Sequence, residues 1–409
     1  MTNSSAGYHT FSLYQKLTSD EYQELNSDFL FYWNRNKDII NRTPMKNSKG
    51  KQTGWLYFYC KNKGIQWILN ASSNDKDFSW YGVTSVINPK ALLENNYITA
   101  ARESDLSKVE EIYNREASKI SKGLNKFGEA PVNRADYCIN IDLKELGLPC
   151  TPEQMMYLIR QGNIPKNFQE RLVYNKEQHR FTSEPDCLYL KNKQVHVNYY
   201  WKYAQLHDAD HPTFSSREEY RNVIRFEIQY KHNKLYRLLK DKKQDSKFYF
   251  PEDHEDYFTM WYYGFRNPSI PVDIALTSNI STAVNKKYFY KIVGSGDYFT
   301  MKLAKQIVES YQFRTEREER LLFTLEMVKK YRGISKAKSE LRGPDLDDFK
   351  TSIKDLNAIR VNPVTIPKRW NIDHIPNLFR TFEETLYEEE LIPQQEYTAR
   401  QHIETILFS

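Results

Sequence analysis

The 409-residue chain has only four cysteines, Cys60, Cys138, Cys150 and Cys187, and no CxxC pair among them. That scatter argues against a disulfide framework and fits reduced thiols in a cytosol. Long apolar runs are missing: nothing approaches the roughly 18 residues of a membrane span, so no membrane partner is expected. The opening "MTNSSAGYHTFSLY" lacks a basic leader and a continuous apolar core, so no secretion signal is read and a cytoplasmic location is expected. Phosphate-cradling glycine motifs are missing as well. "GSG" at 294–296 has neither the Walker lysine nor a preceding parallel strand, and there is no GxSxG elbow.

What the chain does have is positive charge and tyrosine. The formal net charge is +6, and 30 tyrosines and 7 tryptophans often stand beside Lys or Arg, as in "WLYFYCKNK", "VNYYWKY", "KKYFYK" and "QYKHNKLYRLLKDKK". Cationic side chains engage phosphates, and aromatic rings stack on the bases of single strands. The basic residues form no dominant block, so composition leaves open both a nucleic-acid partner and ordinary packed strands.

Periodicity gives the organisation. "NRTPMKNSKGKQTG" (residues 41–54) is polar and rich in turn formers and reads as a mobile loop. "WLYFYC" and "IQWILNA" flank "KNKG" as a hairpin, and "WYGVTSVI" is a further strand. A helix is expected from near Asp105, and another after Thr151, with Pro152 as its first residue and Gly162 at its stop. "NRADYCINIDL", the pair within "CLYLKNKQVHVNYYWKY", and "NVIRFEIQYK" read as strands, the last leading into the basic helix "NKLYRLLKDKK". The expected fold class is α+β, an antiparallel sheet of ferredoxin-like units with helices on one face, followed by a smaller helical domain. Three segments follow: an N-terminal part of the α+β domain (1–130), a core sheet carrying a candidate site (131–265), and a mainly helical C-terminal domain (266–409).

Strand alternation sharpens the candidate site. In residues 133–143, Arg134, Asp136, Cys138, Asn140 and Asp142 share one face. Arg225, Glu227 and Gln229 share a face of the later strand, and His196, Asn198, Tyr200 and Lys202 one side of a third. If these faces meet, two carboxylates and an imidazole or amide oxygen form hard-to-borderline ligands suited to Mg²⁺ or Mn²⁺, while the arginines and Lys202 hold phosphate. The competing reading is a set of exposed cross-strand ion pairs of little energetic value.

In this order, "NRADYCINIDL", "VHVNYYWKYAQL" and "NVIRFEIQYK" resemble the core motifs of rolling-circle replication initiators of Gram-positive plasmids, integrative elements and phages. The resemblance covers about residues 130–240. It implies Asp136 and Glu227 as metal ligands, with His196 and Asn198 beside them, and Lys202 on the scissile phosphate. Arg134, Arg225, Tyr200 and Lys231 would contact DNA. The broader nicking superfamily carries a His-hydrophobic-His pair, and here only His196-Val197-Asn198 stands in that place. The implied chemistry is transesterification, in which a tyrosine oxygen takes the 5′ phosphate of an origin strand and releases a 3′ hydroxyl. Tyr298, after Asp297 at an expected helix start, is the preferred nucleophile, with Tyr290 second; Tyr262 and Tyr263 look more like packing residues.

Other features are weaker. "HDADH" (207–211) has metal-ligand residue types but no helix to align them, and reads as a solvated loop. "DYFTMKLAKQIVESYQF" would open a helix-turn-helix-like module with Lys302 and Lys305 toward DNA. The acidic "FEETLYEEELIPQQE" would face a protein partner, a helicase or a second copy. The alternative function is a non-catalytic DNA- or RNA-binding protein whose sheet is an aromatic stacking platform; a nucleotidyltransferase or primase is a third.

Overall fold

The computed structural model describes residues 4–47, 50–60, 63–74, 78–94, 99–175, 180–208, 218–244 and 270–389. The first part of the chain forms β1 (Ser5–Leu17), α1 (Ser19–Arg35), β2 (Ile40–Lys46), β3 (Gln52–Tyr59), β4 (Ile65–Asn74), β5 (Phe78–Ile87), α2 (Pro89–Glu94) and α3 (Leu106–Ile120). Next come β6 (Val132–Asp142), α4 (Pro152–Ile159), β7 (Gln169–Glu170), a small hairpin β8 (Val173–Asn175) and β9 (Arg180–Thr182), β10 (Cys187–Lys191), β11 (Val195–Trp201), α5 (Lys202–Asp208), β12 (Val223–Lys231) and α6 (His232–Gln244). The remainder is mainly helical: α7 (Val272–Ala275), α8 (Ser278–Ile292), β13 (Tyr298–Phe299), α9 (Met301–Ser310), α10 (Thr315–Tyr331), α11 (Ile334–Glu340), α12 (Gly343–Ala358), β14 (His374–Ile375) and α13 (Leu378–Glu389).

Ten strands form one sheet in the order β2-β3-β4-β5-β1-β6-β12-β11-β10-β7. With the helical C-terminal region this is the α+β class expected from periodicity. No helix among the described residues is long and apolar enough to cross a membrane. The chain divides into two compact units, one of residues 6–139 and 229–282, the other of 1–5, 140–228 and 283–409. The sequence reading cut the chain near 130 and 265, whereas these units exchange near 139, 228 and 282.

In the first unit, α1 starts at Thr18, whose hydroxyl accepts from the Glu21 N–H while the Glu21 carboxylate accepts from the Thr18 N–H. Its apolar residues Leu25 and Phe29 are buried, and the Phe29 ring meets Tyr57 at 4.8 Å and Trp67 at 6.1 Å. The Tyr59 hydroxyl, from β3, donates to Glu116 of α3 at 2.7 Å, and Lys119 pairs with the same carboxylate. That pairing lets a charged residue sit in the core.

The polar stretch at 41–54 is not a loop throughout. Its first part is β2, antiparallel to β3 with Pro44 opposite Trp55, and the turn begins only after Lys46. An edge strand needs one apolar face at most and tolerates proline, which is why its composition imitates a loop. Arg42 places its guanidinium 3.3 Å over the Trp55 ring.

In the second unit, α4 is capped by Thr151 with Pro152 in its first turn, and it ends at Ile159, three residues before Gly162. Asn192 closes the β10–β11 connection through its side-chain oxygen, which accepts from Gln194 and Val195 N–H at 2.8 Å each. The helical part buries Ala304, Val308, Leu321, Leu325, Leu356 and Val361 together. Asp297 ties its edges: its carboxylate accepts from the Asn377 N–H at 2.8 Å, meets Arg380 at 2.5 Å, and lies 3.2 Å from His374 Nε2.

Asp297→Ala removes the acceptor of the buried Asn377 N–H and the partner of the partly buried Arg380, so it is expected to cost about 1–3 kcal/mol in chemical denaturation of the full chain. A pH effect is expected in the first unit. Burial holds His232 below its usual range, partly offset by a backbone hydrogen bond to Val132. A depressed pKa means the unfolded chain binds the proton first, so this contribution is present above about pH 6.5 and is lost as the pH falls. His232→Gln should flatten the acid limb of a stability–pH curve measured by denaturant midpoint.

Candidate active site

β11 and β10 pair antiparallel with His196 opposite Lys191, Asn198 opposite Tyr189 and Tyr200 opposite Cys187. Alternation therefore gathers these six on one face, while Val195, Val197, Tyr199, Leu188 and Leu190 are buried on the other. Tyr199 meets Phe226 edge-on at 4.6 Å, which anchors the apolar side of β11 against β12.

On the polar side, Glu227 of β12 is the centre. Asn198 Nδ2 donates to its Oε1 and the Tyr200 hydroxyl to its Oε2, each at 3.3 Å. Lys202, at the start of α5, holds its Nζ 5.6 Å from the Tyr200 ring centre and 2.8 Å from Gln205 Oε1. Two residues before Glu227, Arg225 donates its Nε–H to Asn140 Oδ1 at 2.7 Å. The expected open surface is not what forms: Glu227 is 8% exposed, Lys202 2% and Arg225 0%. Nor are these the weak solvated ion pairs of the competing reading, because charges removed from water must be hydrogen-bonded to persist.

The neighbouring β10 residues complete the setting. Burial, followed by the charges of Cys187, Glu184 and Glu227, raises the Tyr189 pKa, and Tyr189 stands 6.1 Å from Tyr200, ring centre to ring centre. Cys187 donates to Glu184 at 2.9 Å, and burial then that carboxylate push its thiol up, so it is no thiolate nucleophile.

The other expected site residues fall as follows. On β6, Asp136 is 1% exposed and both of its oxygens are engaged by Arg134, Oδ1 from Nε at 2.8 Å and Oδ2 from Nη2. His196 is half-buried on the same strand face as Asn198, and Lys231 is exposed at the end of β12. Tyr290 lies on α8, half-buried, beside a cavity. Asp142, whose Oδ1 accepts from the Lys144 and Glu145 N–H groups, shapes the turn after β6.

Tyr298 corrects the sequence reading. It does not open a helix; it lies on β13, paired with Ile375 of β14, is 1% exposed, and its hydroxyl finds no hydrogen-bond partner among the described residues. Burial, with the nearby Cys150, raises its pKa, and burial pushes the Cys150 thiol itself up to about 12. A phenol sealed from solvent with no base beside it has neither access to phosphate nor a route for its proton. Asp297 is no helix cap but the junction described above. Lys305 pairs with Glu326 at 2.5 Å rather than standing free toward DNA. Tyr262, Tyr263, most of "HDADH" and residues 390–396 of the acidic tail lie outside the described residues.

Among the described residues, no group of three or more His, Cys, Asp or Glu side chains gathers as a metal site. Sequence reasoning placed Asn140 on the polar face of β6 without a role, and passed over Tyr189 and Gln205, which depend on register and on helix geometry.

No family model matches the sequence, and no curated protein matches it. Among solved structures, the rolling circle replication initiator protein from Geobacillus stearothermophilus is similar over 58% of this chain and 80% of that one, at 11% identity and a TM-score of 0.28. A likeness this loose assigns no residue.

The Arg225–Asn140 contact is a charged, buried hydrogen bond, worth about 1.5–3 kcal/mol. Asn140→Ala should lower stability by that amount in denaturant titration, while Asn140→Asp, which keeps the acceptor, should lose less.

Proposed function

We propose that this chain is a rolling-circle replication initiator that nicks and rejoins one DNA strand through a phosphotyrosine link, with Tyr200 as nucleophile. The observation that carries the reading is the Tyr200 hydroxyl donating to the buried Glu227 carboxylate, with the Lys202 ammonium beside the same ring. Nucleophile, base and cation in mutual reach are the minimum for attack on a phosphodiester. The order of the three strand motifs supports the choice of reaction.

In the forward step, Glu227 takes the phenolic proton and the Tyr200 oxygen bonds to phosphorus. The P–O3′ bond breaks and the leaving 3′ oxygen takes a proton from the Glu227 carboxylic acid, so one end departs as a 3′ hydroxyl while the 5′ phosphate of the other end stays on the tyrosine. Free tyrosine has a pKa of about 10, so the carboxylate and the ammonium must lower the barrier at neutral pH. Rejoining is the reverse, and the covalent link keeps the phosphodiester energy. Mg²⁺ takes one or two carboxylates and completes its shell with water and substrate phosphate. Glu227, with the Asn198 amide oxygen, is the donor set this unit offers, and a bound divalent ion would supply charge stabilisation at the phosphoryl oxygens. Asp136, which the resemblance also implies as a metal ligand, is held by Arg134. Arg225 positions the Glu227 strand, and Lys231 is left for the DNA backbone. A helicase or a second copy as partner belongs to the same reading through the acidic tail.

Two results test this. Tyr200→Phe should abolish the covalent protein–DNA adduct on supercoiled origin DNA in Mn²⁺, whereas Tyr298→Phe and Tyr290→Phe should keep it. Glu227→Gln should slow nicking by about 10²–10⁴-fold, the usual range for loss of a general base. An adduct undiminished in Tyr200→Phe rules out the assignment.

A further inference from the structure

A cavity of about 530 Å³ opens in the second unit between the end of α8, the turn that follows it, and helices α11 and α12. Its volume is that of a small-ligand site. Tyr290 and Lys291 line it from α8, Ser295 from the turn, Lys354 and Asn357 from α12, and Asn163 from the segment after α4. No acidic residue lines it. Lys291 and Lys354 are exposed and form no ion pair among the described residues.

The charge surplus extends one step further. Lys338 of α11 donates to Asn163 Oδ1 at 2.9 Å. Burial holds its pKa down, and repulsion from Lys350 and Lys166 adds to that. Five lysines thus share this corner, and among the described residues only Lys350 has a carboxylate partner, Asp347 at 2.7 Å. Like charges gathered without counter-charges oppose folding unless an anion relieves them.

The wall is built to stay open. Asn357 Oδ1 accepts from the Ser295 and Gly296 N–H groups at 2.8 and 2.9 Å, and the Asn163 side chain is tied to the Lys291 carbonyl at 3.4 Å. Gly294 has φ +95°, and a Cβ there would meet Asn357 Oδ1 at 2.6 Å, so the turn accepts only glycine. The Ser295 hydroxyl has no hydrogen-bond partner among the described residues and is a spare donor.

We propose that this cavity binds the phosphate of a nucleotide unit, with Lys291, Lys354 and the Ser295 hydroxyl on the phosphate and the Tyr290 ring beside the base. Ammonium groups on a phosphate with an aromatic ring close by are the elements of single-strand recognition. The phosphate comes either from a free nucleotide or from one unit of a single strand, and the chemistry of the site is the same. The site shares no residue with the Glu227 cluster and goes beyond the nicking reading.

The test is equilibrium binding to the full chain in EDTA, where no strand is cut, so it stands apart from any nicking result. Fluorescein-labelled decathymidylate is followed by anisotropy and thymidine 5′-monophosphate by calorimetry, for wild type and for Lys291→Gln/Lys354→Gln. The double variant is expected to bind at least tenfold more weakly to whichever source the site takes. For the oligonucleotide, the log–log salt slope should also fall by about 1.4, two phosphate contacts at about 0.7 each. Loss confined to the oligonucleotide marks a strand site; loss of both marks a site that accepts free nucleotide. Lys291→Arg/Lys354→Arg should restore binding, which separates lost contacts from misfolding. Unchanged affinity for both probes in the double variant, or no binding of either by wild type, overturns the proposal.

Discussion

A guanidinium withdrawn from water is the constraint on which the candidate site depends. Arg225 is fully buried near the start of β12, and its Nε–H is directed to Asn140 near the end of β6. Burying a cation costs several kcal/mol unless its donors are used. The register of these strands and the side on which their polar residues face are therefore not free to slip. A one-residue shift would send Arg225 into the apolar side occupied by Phe226 and Tyr199. Glu227 inherits its position from this, being two residues on along the same strand face.

Around Glu227 the hydrogen bonds from Asn198 and Tyr200 are each 3.3 Å, long for bonds to a carboxylate, and they hold one oxygen each. Asp136 contrasts with it: a fork-to-fork pair with Arg134 uses both oxygens. Two carboxylates with the same Arg-x-acid grammar thus differ in the partners that orient them. Arg134 turns back on its own strand's acid, whereas Arg225 spends its Nε on an amide. Sequence alternation puts each arginine on the right face but cannot say which partner it takes.

That limit describes the legibility of the chain more widely. Elements set by local rules were readable: Thr151-Pro152 at a helix start, the alternation of β11 and β12, and the hairpin at Asn192. Elements set by distant partners were not. β2 is a strand only because β3 is beside it, since residues 40–46 carry little apolar patterning of their own. Tyr298 read as a helix-start residue because it follows Asp297, yet Asp297 is drawn inward by His374, Asn377 and Arg380, some 80 residues later in the chain. Alternation placed Tyr200 on the polar face and its neighbour Tyr199 on the apolar one, but nothing local says that the Tyr200 hydroxyl meets Glu227 of another strand.

Burial of the Glu227 cluster has a chemical consequence. At 2% exposure the Lys202 ammonium is poorly hydrated, and so is Glu227, so their influence on a phosphate or phenolate brought among them is far stronger than it would be in water. The same burial blocks entry. On the proposed reading a scissile phosphodiester has to reach Tyr200, itself 6% exposed, past the half-buried His196 and Asn198 of the same strand face. Moving Asn198 would break its hydrogen bond to Glu227 Oε1, whereas Tyr200 bonds the other oxygen. Substrate entry and a change in the hydrogen bonding of Glu227 would, on that reading, be one event.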